Sequence, residues 1–374
     1  MKISFVLGHE LPFPPEKGGG VNSLLAGLCK ALATLGHEVT AYSPMVPGRP
    51  DRELRDGVRH VRVKGAERRP RNLANVVAGI PYALRVARAV EPCDVLSGHL
   101  WHGFFFSRFP RARVVTHTIH RDPKKFLLLF SLLDRIYTGS DAVTADAGRV
   151  VPRLAAKCRT IYNAVDFTDY PEPPPRSRDG QVRFIFVGRF SADKGLETFI
   201  PAFCDAAARN PDIRFKAVGP MTAQGGGDAT LVARMRTLVT ERGLTDRVEF
   251  AQPIYDRAAL DEVIRDADVV VLPSIGGETL NMSILECMRL GRALLISDLP
   301  ANAPLTADGE TGFFARTGDS ADWTARILEL AQDPDRLDRF GVAAYRYGRE
   351  RFSCERIAAE YVNDFAAMLA AKSA

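Results

Sequence analysis

The sequence predicts an α/β protein built as two doubly wound, Rossmann-like domains facing each other across a cleft. Three observations predict it. Short apolar runs alternate with amphipathic helical stretches along most of the chain. A proline-rich break, Tyr170-Pro171-Glu172-Pro173-Pro174-Pro175-Arg176, interrupts this alternation near the middle. Beyond the break the alternation starts afresh. Strands that take turns with helices imply a parallel sheet covered on both faces. A chain of 374 residues is long enough for two hydrophobic cores.

Taken in order, the first apolar run is K-I-S-F-V-L-G, followed by a loop that ends in Gly18-Gly19-Gly20. A helix is expected from about Val21 to Leu35, with Gly36 as its stop. Strands E-V-T-A-Y-S-P and V-R-H-V-R-V-K follow, then a helix over Asn72–Val90, then D-V-L-S-G-H and R-V-V-T-H-T-I-H. A helix around Lys124–Tyr137 comes next, then a strand D-A-V-T-A-D-A, a helix, and C-R-T-I-Y-N-A-V. The first domain spans residues 1–169. Residues 170–180 read as a stiff linker, because a proline-dense run continues neither helix nor sheet. The second domain, 181–353, opens with V-R-F-I-F-V-G and a helix over Lys194–Asn210. It continues through I-R-F-K-A-V-G, V-E-F-A-Q-P, D-V-V-V-L-P-S and A-L-L-I-S-D. Helical patterns run on to the end, and residues 354–374 form a last helix that crosses back to the first domain.

Composition narrows the function classes. Hydrophobic content of 46% and charged content of 25% are ordinary for a globular protein. The six cysteines are scattered without a C-x-x-C, which points to reduced thiols in the cytoplasm rather than a disulfide frame. No signal-peptide pattern opens the chain, and no apolar run approaches a membrane span. A net charge of +5 suits an anionic ligand or the inner face of a membrane and does not call for nucleic acid.

The stretch most suggestive of chemistry is Ser274 to Gly291, S-I-G-G-E-T-L-N-M-S-I-L-E-C-M-R-L-G. It reads as the end of a buried strand, a small-residue turn and a helix. The first amides of such a helix are unpaired and carry partial positive charge, so they favour an anion such as a diphosphate. Glu278 and Glu286, eight positions apart, can accept hydrogen bonds from sugar hydroxyls at either end of that anion. In isolation, two such glutamates are more often solvated surface residues. The second cue is Val187-Gly188-Arg189-Phe190-Ser191-Ala192-Asp193-Lys194-Gly195, a strand end leading into a helix. Lys194 opposes the macrodipole there, which a bound anion would offset. Arg189 can fork onto phosphate oxygens. Gly18-Gly19-Gly20 permits close approach of backbone to ligand but lacks the dinucleotide fingerprint. No histidine or cysteine cluster stands at metal-ligand spacing, so no bound metal is expected. Lys124-Lys125 before F-L-L-L-F joins cations to apolar residues, a combination that also suits peripheral membrane contact, although a packed helix is the plainer reading.

Together these segments resemble the family 4, or group 1, retaining glycosyltransferases of the GT-B fold, nearly end to end. Glu278 and Glu286 resemble the family's E-x7-E motif. Val187-Gly188-Arg189 with Lys194-Gly195 is similar to its diphosphate loop, and Ile161-Tyr162-Asn163-Ala164-Val165-Asp166 to its "NGVD" segment, with Ala164 where glycine is usual. The resemblance implies transfer of a sugar from a nucleoside-diphosphate-sugar to a sugar, glycan, small-molecule or lipid-linked acceptor. It implies retained configuration, no cofactor and no metal. Arg189 and Lys194 would hold the diphosphate, Glu278 would lie near donor-sugar hydroxyls, and Glu286 would take the ribose. Gly188 and the Gly18–Gly20 loop would admit the donor, and the amides of Leu280, Asn281 and Met282 would touch the distal phosphate. Either His120, after Thr118-Ile119, or His117 would face the donor sugar. Thr279 and Asn281 stand where the family often has glycine, so donor-sugar preference does not carry over. A nucleotide-sugar 2-epimerase and a non-catalytic sugar-nucleotide-binding protein on the same fold are the competing readings.

Overall fold

The computed structural model describes the chain apart from residues 16–19, 67–71, 100–102, 107–108, 120–124 and 175–178, and from Gly277 and Thr279. It divides into two compact units. One is Met1–Asp166 with Phe352–Ala374, and the other is Phe167–Arg351.

The first unit runs β1 (Lys2–Val6), α1 (Gly20–Thr34), β2 (Glu38–Pro44), β3 (Arg52–Arg55), β4 (Val58–Val63), α2 (Asn72–Ala89), β5 (Cys93–Gly98), β6 (Ala112–Ile119), β7 (Arg135–Thr138), α3 (Asp141–Val150) and β8 (Cys158–Thr160). The sheet order is β3-β4-β2-β1-β5-β6-β7-β8. All pairs are parallel except the β3–β4 hairpin. The chain starts mid-sheet, builds outward through β2 and β4, then returns to the other flank of β1 with β5. That reversal makes the carboxyl ends of β1 and β5 a switch point. Val6, Leu96, Val115 and Ile136 of the sheet pack with Tyr82 and Val86 of α2 in the core. The Tyr82 hydroxyl donates to the Leu7 carbonyl at 3.0 Å, so the buried phenol is not left unpaired.

The second unit runs β9 (Val182–Val187), α4 (Leu196–Arg209), β10 (Ile213–Val218), α5 (Ala229–Glu241), β11 (Val248–Ala251), α6 (Arg257–Arg265), β12 (Val269–Leu272), α7 (Met282–Arg289), β13 (Ala293–Ser297), β14 (Gly312–Ala315), α8 (Ser320–Ala331) and α9 (Pro334–Phe352). Its sheet is wholly parallel, in the order β11-β10-β9-β12-β13-β14. Both sheet faces of β12 are covered, which is why V-V-V-L is apolar throughout rather than alternating. Val182, Phe184 and Phe186 point to one face, where Phe199 and Phe203 of α4, Phe215 of β10 and Trp323 of α8 form the core. Here the switch point lies between β9 and β12.

The last helix, α10 (Cys354–Ala371), belongs to the first unit. Its Asp364 is 3% exposed and accepts from the Tyr137 hydroxyl at 2.7 Å and from Arg135 Nε at 3.1 Å, with Arg159 as a third donor. A buried carboxylate is tolerated only when paired in this way.

Several local expectations are corrected. In place of a helix over Lys124–Tyr137 there is a 3-10 turn at Lys125–Phe130 and then strand β7. R-I-Y-T pairs with β6 on one side and β8 on the other, and these sheet partners override the helical reading of the stretch. The expected strand D-A-V-T-A-D-A is instead the start of α3. Ser140 caps it by accepting from Val143 N–H, and Asp141 sits in the first turn. Strand β3 was not expected. It is an exposed edge strand, turned by Asp56-Gly57, both at positive φ (54° and 74°), the two-residue hairpin signature. The boundary after the first unit falls at Asp166/Phe167, and residues 170–174 do not hang free. Tyr345 donates to the Tyr170 carbonyl at 2.6 Å, and Arg346 forks onto Glu172 at 2.7 Å and 2.7 Å.

Candidate active site

Strands β9 and β12 are neighbours, with Val269 opposite Phe184 and Val270 opposite Ile185. The loops that leave their carboxyl ends therefore run side by side, and the second unit's switch point is built from them. Gly195 is what lets them touch. Its φ is +68°, and a Cβ there would fall 1.8 Å from the Pro273 carbonyl oxygen, so a side chain is excluded twice over. The Ile275 amide donates to the Asp193 carbonyl at 2.9 Å and ties the two loops further. Gly188 lies at the base of the first loop, its amide held by the Val218 carbonyl at 3.0 Å.

The loops bring Lys194 and Glu278 together. Lys194 Nζ donates to Glu278 Oε1 at 2.5 Å, and Ser274 Oγ donates to the same oxygen at 2.5 Å. Asn281 Nδ2 reaches both carboxylate oxygens at 3.4 Å. The side chains of Lys194 and Glu278 are only 12% and 6% exposed, so the pair is screened little by solvent. The charge of Lys194 at the start of α4 thus already has a counter-charge within the chain, and no bound anion is needed to explain it. Arg189 stands at the rim, half exposed, with Nη2 3.3 Å from Asp193 Oδ2. Asp193 is also 3.9 Å from Lys194. Around this point two cations and two carboxylates alternate, and an incoming phosphate would have to draw the cations from Asp193 and Glu278.

Helix α7 begins beside this cluster. Asn281 caps it, its Oδ1 accepting from the Ser283 amide at 2.9 Å. Leu280 is buried beneath the tip, and Met282 opens the helix. Glu286, one turn on, does not join Glu278. Its Oε2 lies 2.9 Å from Nη1 of Arg257, the first residue of α6. The two glutamates of the motif therefore serve two separate cationic partners. Arg257 escaped the sequence reading. The cue was available, because Asp256 caps α6 and a cation in the first turn of a helix opposes its dipole.

The other candidate residues lie elsewhere or beyond description. Gly18, Gly19, His120 and Thr279 fall outside the described residues. Gly20 begins α1 in the first unit. His117, the alternative to His120, is buried with its ring stacked on Phe130 at 4.4 Å. His99 is buried at the end of β5, stacked on Phe5 at 5.6 Å with Nε2 3.1 Å from Ser97 Oγ. In the basic and apolar stretch, Leu127 and Phe130 are core residues while Leu128 and Leu129 are exposed. Among the described residues no group of three or more His, Cys, Asp or Glu is placed to hold a metal ion, and no helix is long and apolar enough to cross a membrane.

Two doubly wound parallel sheets, with cations and carboxylates gathered at a switch point, define a sugar-transferring class of enzyme once the chain is set beside known proteins. Residues 172–347 match the Glycosyl transferases group 1 family, and residues 18–169 match Glycosyltransferase Family 4. The chain belongs to this family and is a glycosyltransferase. It is 27% identical over 347 residues to a phosphatidyl-myo-inositol mannosyltransferase of Mycolicibacterium smegmatis, covering 87% of this chain and 85% of that protein. It is 24% identical over 386 residues to spore coat protein SA of Bacillus subtilis, covering 96% and 97%. Among solved structures, sucrose-phosphate synthase from Thermosynechococcus elongatus superposes over 99% of both chains with a TM-score of 0.78 at 22% identity. Anabaena Alr3699/HepE, solved in complex with UDP and glucose, superposes over 98% of this chain and 100% of that chain, with a TM-score of 0.75 at 18% identity. These likenesses show the GT-B fold.

Proposed function

We propose that this glycosyltransferase takes its sugar from a nucleoside-diphosphate-sugar and transfers it with retained anomeric configuration, without a metal. The observation that carries the reading is the meeting of Lys194 and Glu278 at the ends of β9 and β12, with Arg189 at the rim. Arg189 and Lys194 supply two positive charges for a departing diphosphate, the stabilisation that a divalent cation gives elsewhere. The amides at the tip of α7, from Leu280 to Met282, add the partial positive charge of a helix start. Glu278, held by Ser274 and Asn281, accepts from hydroxyls of the donor sugar, and Glu286 accepts from the ribose. The solved Anabaena protein binds UDP and glucose, which agrees with a donor of this class.

In the reaction, an acceptor hydroxyl approaches the anomeric carbon on the face that the phosphate is leaving. The carbon–oxygen bond to phosphate breaks, the bond to the acceptor oxygen forms, and a phosphate oxygen takes the acceptor proton. No side chain need act as nucleophile, so the site works by positioning and charge stabilisation. The acceptor is a sugar, a glycan, a small molecule or a lipid-linked species.

Melting-temperature shifts with UDP, GDP and ADP test the donor assignment, since a ligand of the folded state raises its stability by mass action. At least one diphosphate raises the melting temperature of the parent, Arg189→Ala abolishes the shift, and a chelator leaves it unchanged. An equal shift in Arg189→Ala and parent overturns the role of Arg189.

A further inference from the structure

Behind Glu286 lies a set of charges that the transfer reaction does not by itself require. Arg257 Nε is 2.9 Å from Asp261 Oδ1, one turn along α6, an ion pair held by charge rather than by a directed hydrogen bond. Arg289 Nη2 is 3.5 Å from the same oxygen. The other oxygen, Oδ2, accepts from the Tyr170 hydroxyl at 2.6 Å. The Arg289 guanidinium lies over the Tyr170 ring, 3.7 Å from its centroid. Asp261 is 3% exposed and Arg289 7%. Two arginines, two carboxylates and a phenol thus run in a line from the segment that enters the second unit to Glu286. Leucine or methionine would pack α6 against α7 without the desolvation penalty of four charges, and buried ion pairs seldom exceed apolar packing in stability. The line opens to solvent at Arg257 and Glu286, whose side chains are 39% and 17% exposed.

We propose that Arg257 is a positioning residue for Glu286: it fixes the carboxylate for a ribose, and Asp261 with Tyr170 fixes Arg257. This rests on the reading of Glu286 as the ribose acceptor given above. The geometry supports it in two ways. Arg257 lies 2.9 Å from Oε2, and the Glu286 side chain is still 17% exposed. A carboxylate has about four lone-pair sites, so one guanidinium contact leaves room for both ribose hydroxyls. In addition, Arg257 cannot swing away without giving up Asp261. Burial alone would weaken the hold of Arg257 on its proton, but the charges of Glu286 and Asp261 outweigh it and keep the guanidinium firmly protonated. A glutamate on a free side chain would lose rotamer freedom on binding ribose, whereas one already held by a fixed arginine loses less.

The test is calorimetric binding of UDP, GDP and ADP, each against its 2′,3′-dideoxy form, to the parent, Glu286→Ala, Arg257→Ala, Arg257→Lys and the double variant Arg257→Ala/Glu286→Ala. The ratio of the two affinities within one variant is independent of how much of that protein is folded. The parent prefers the ribose form, and Glu286→Ala and Arg257→Ala each cut that preference by about tenfold, the scale of one charged hydrogen bond. Arg257→Lys keeps part of it, and the double variant is no worse than Glu286→Ala. If Glu286→Ala keeps the full preference, the ribose reading of Glu286 fails. If Glu286→Ala loses the preference while Arg257→Ala keeps it, or weakens both forms equally, that reading stands and the positioning role of Arg257 is overturned.

Discussion

Lys194 and Glu278 are 84 positions apart in the chain, yet Nζ and Oε1 meet at 2.5 Å with both side chains almost closed to solvent. The contact spans the loops that leave two adjacent strands, so it holds the candidate donor site together as well as furnishing its charges. Removing one member leaves the other buried without a counter-charge. Lys194→Met and Glu278→Leu are each expected to destabilise the protein by about 3 kcal/mol. The double variant is expected to recover about 1–2 kcal/mol relative to the sum. Urea unfolding of the four proteins measures the coupling.

Gly195 makes that contact possible, and its replacement is expected to be felt first in stability. Gly195→Ala forces an L-residue to φ +68° and drives its Cβ into the Pro273 carbonyl. The loss is expected to exceed about 2 kcal/mol, because strain and backbone displacement add. A thermal melt shows it, and UDP, GDP or ADP is then expected to shift the melt less than in the parent.

In the first unit, Asp364 gathers Tyr137, Arg135 and Arg159 onto α10. Asp364→Asn leaves two guanidiniums facing a neutral amide and is expected to cost about 3 kcal/mol. Tyr137→Phe removes a single hydrogen bond and is expected to cost about 1 kcal/mol. Denaturant midpoints separate the two.

His60, buried on β4, gives a pH signature. Burial, with Arg62, Arg55 and Arg49 nearby, holds its pKa down at about 4 from an ordinary 6.5, and Glu53 opposes this only in part. Between these values the unfolded chain binds a proton that the folded chain refuses, so stability rises with pH there. The contribution is complete above pH 6.5 and is lost as pH falls toward 4, on the order of 3 kcal/mol. The parent and His60→Gln should therefore converge or cross on acidification in unfolding experiments run between pH 7 and 4.

The buried parallel strands were legible because covering both faces of a sheet demands continuous apolar runs, and F-I-F-V and V-V-V-L supply them. Strand β7 and helix α3 were exchanged for each other because R-I-Y-T is short and D-A-V-T-A-D-A carries the β-branched pair Val143-Thr144, so local spacing was outvoted by sheet neighbours and by the Ser140 cap. The β3 hairpin was legible in Asp56-Gly57, a residue pair suited to the positive φ of a two-residue turn. At the site, Lys194, Arg189, Glu278 and Glu286 stood out by type and spacing. Which of them pair with one another did not, because pairing depends on strand order, and a one-dimensional pattern does not reveal that β9 and β12 are adjacent. The pairing of Arg257 with Glu286, 29 positions further on, was hidden for the same reason, although the cation at the start of α6 was itself a cue.

The attachment of α10 to the first unit has a consequence for how the protein is made. Asp364 sits on the helix that follows the second unit, yet it completes a cluster with Tyr137 and Arg159, more than two hundred positions earlier. On the ribosome, the second unit is synthesised before the closing helix of the first. The half that is synthesised earliest is therefore the last to be finished, and it must wait, with part of its surface uncovered, for some two hundred residues of intervening translation.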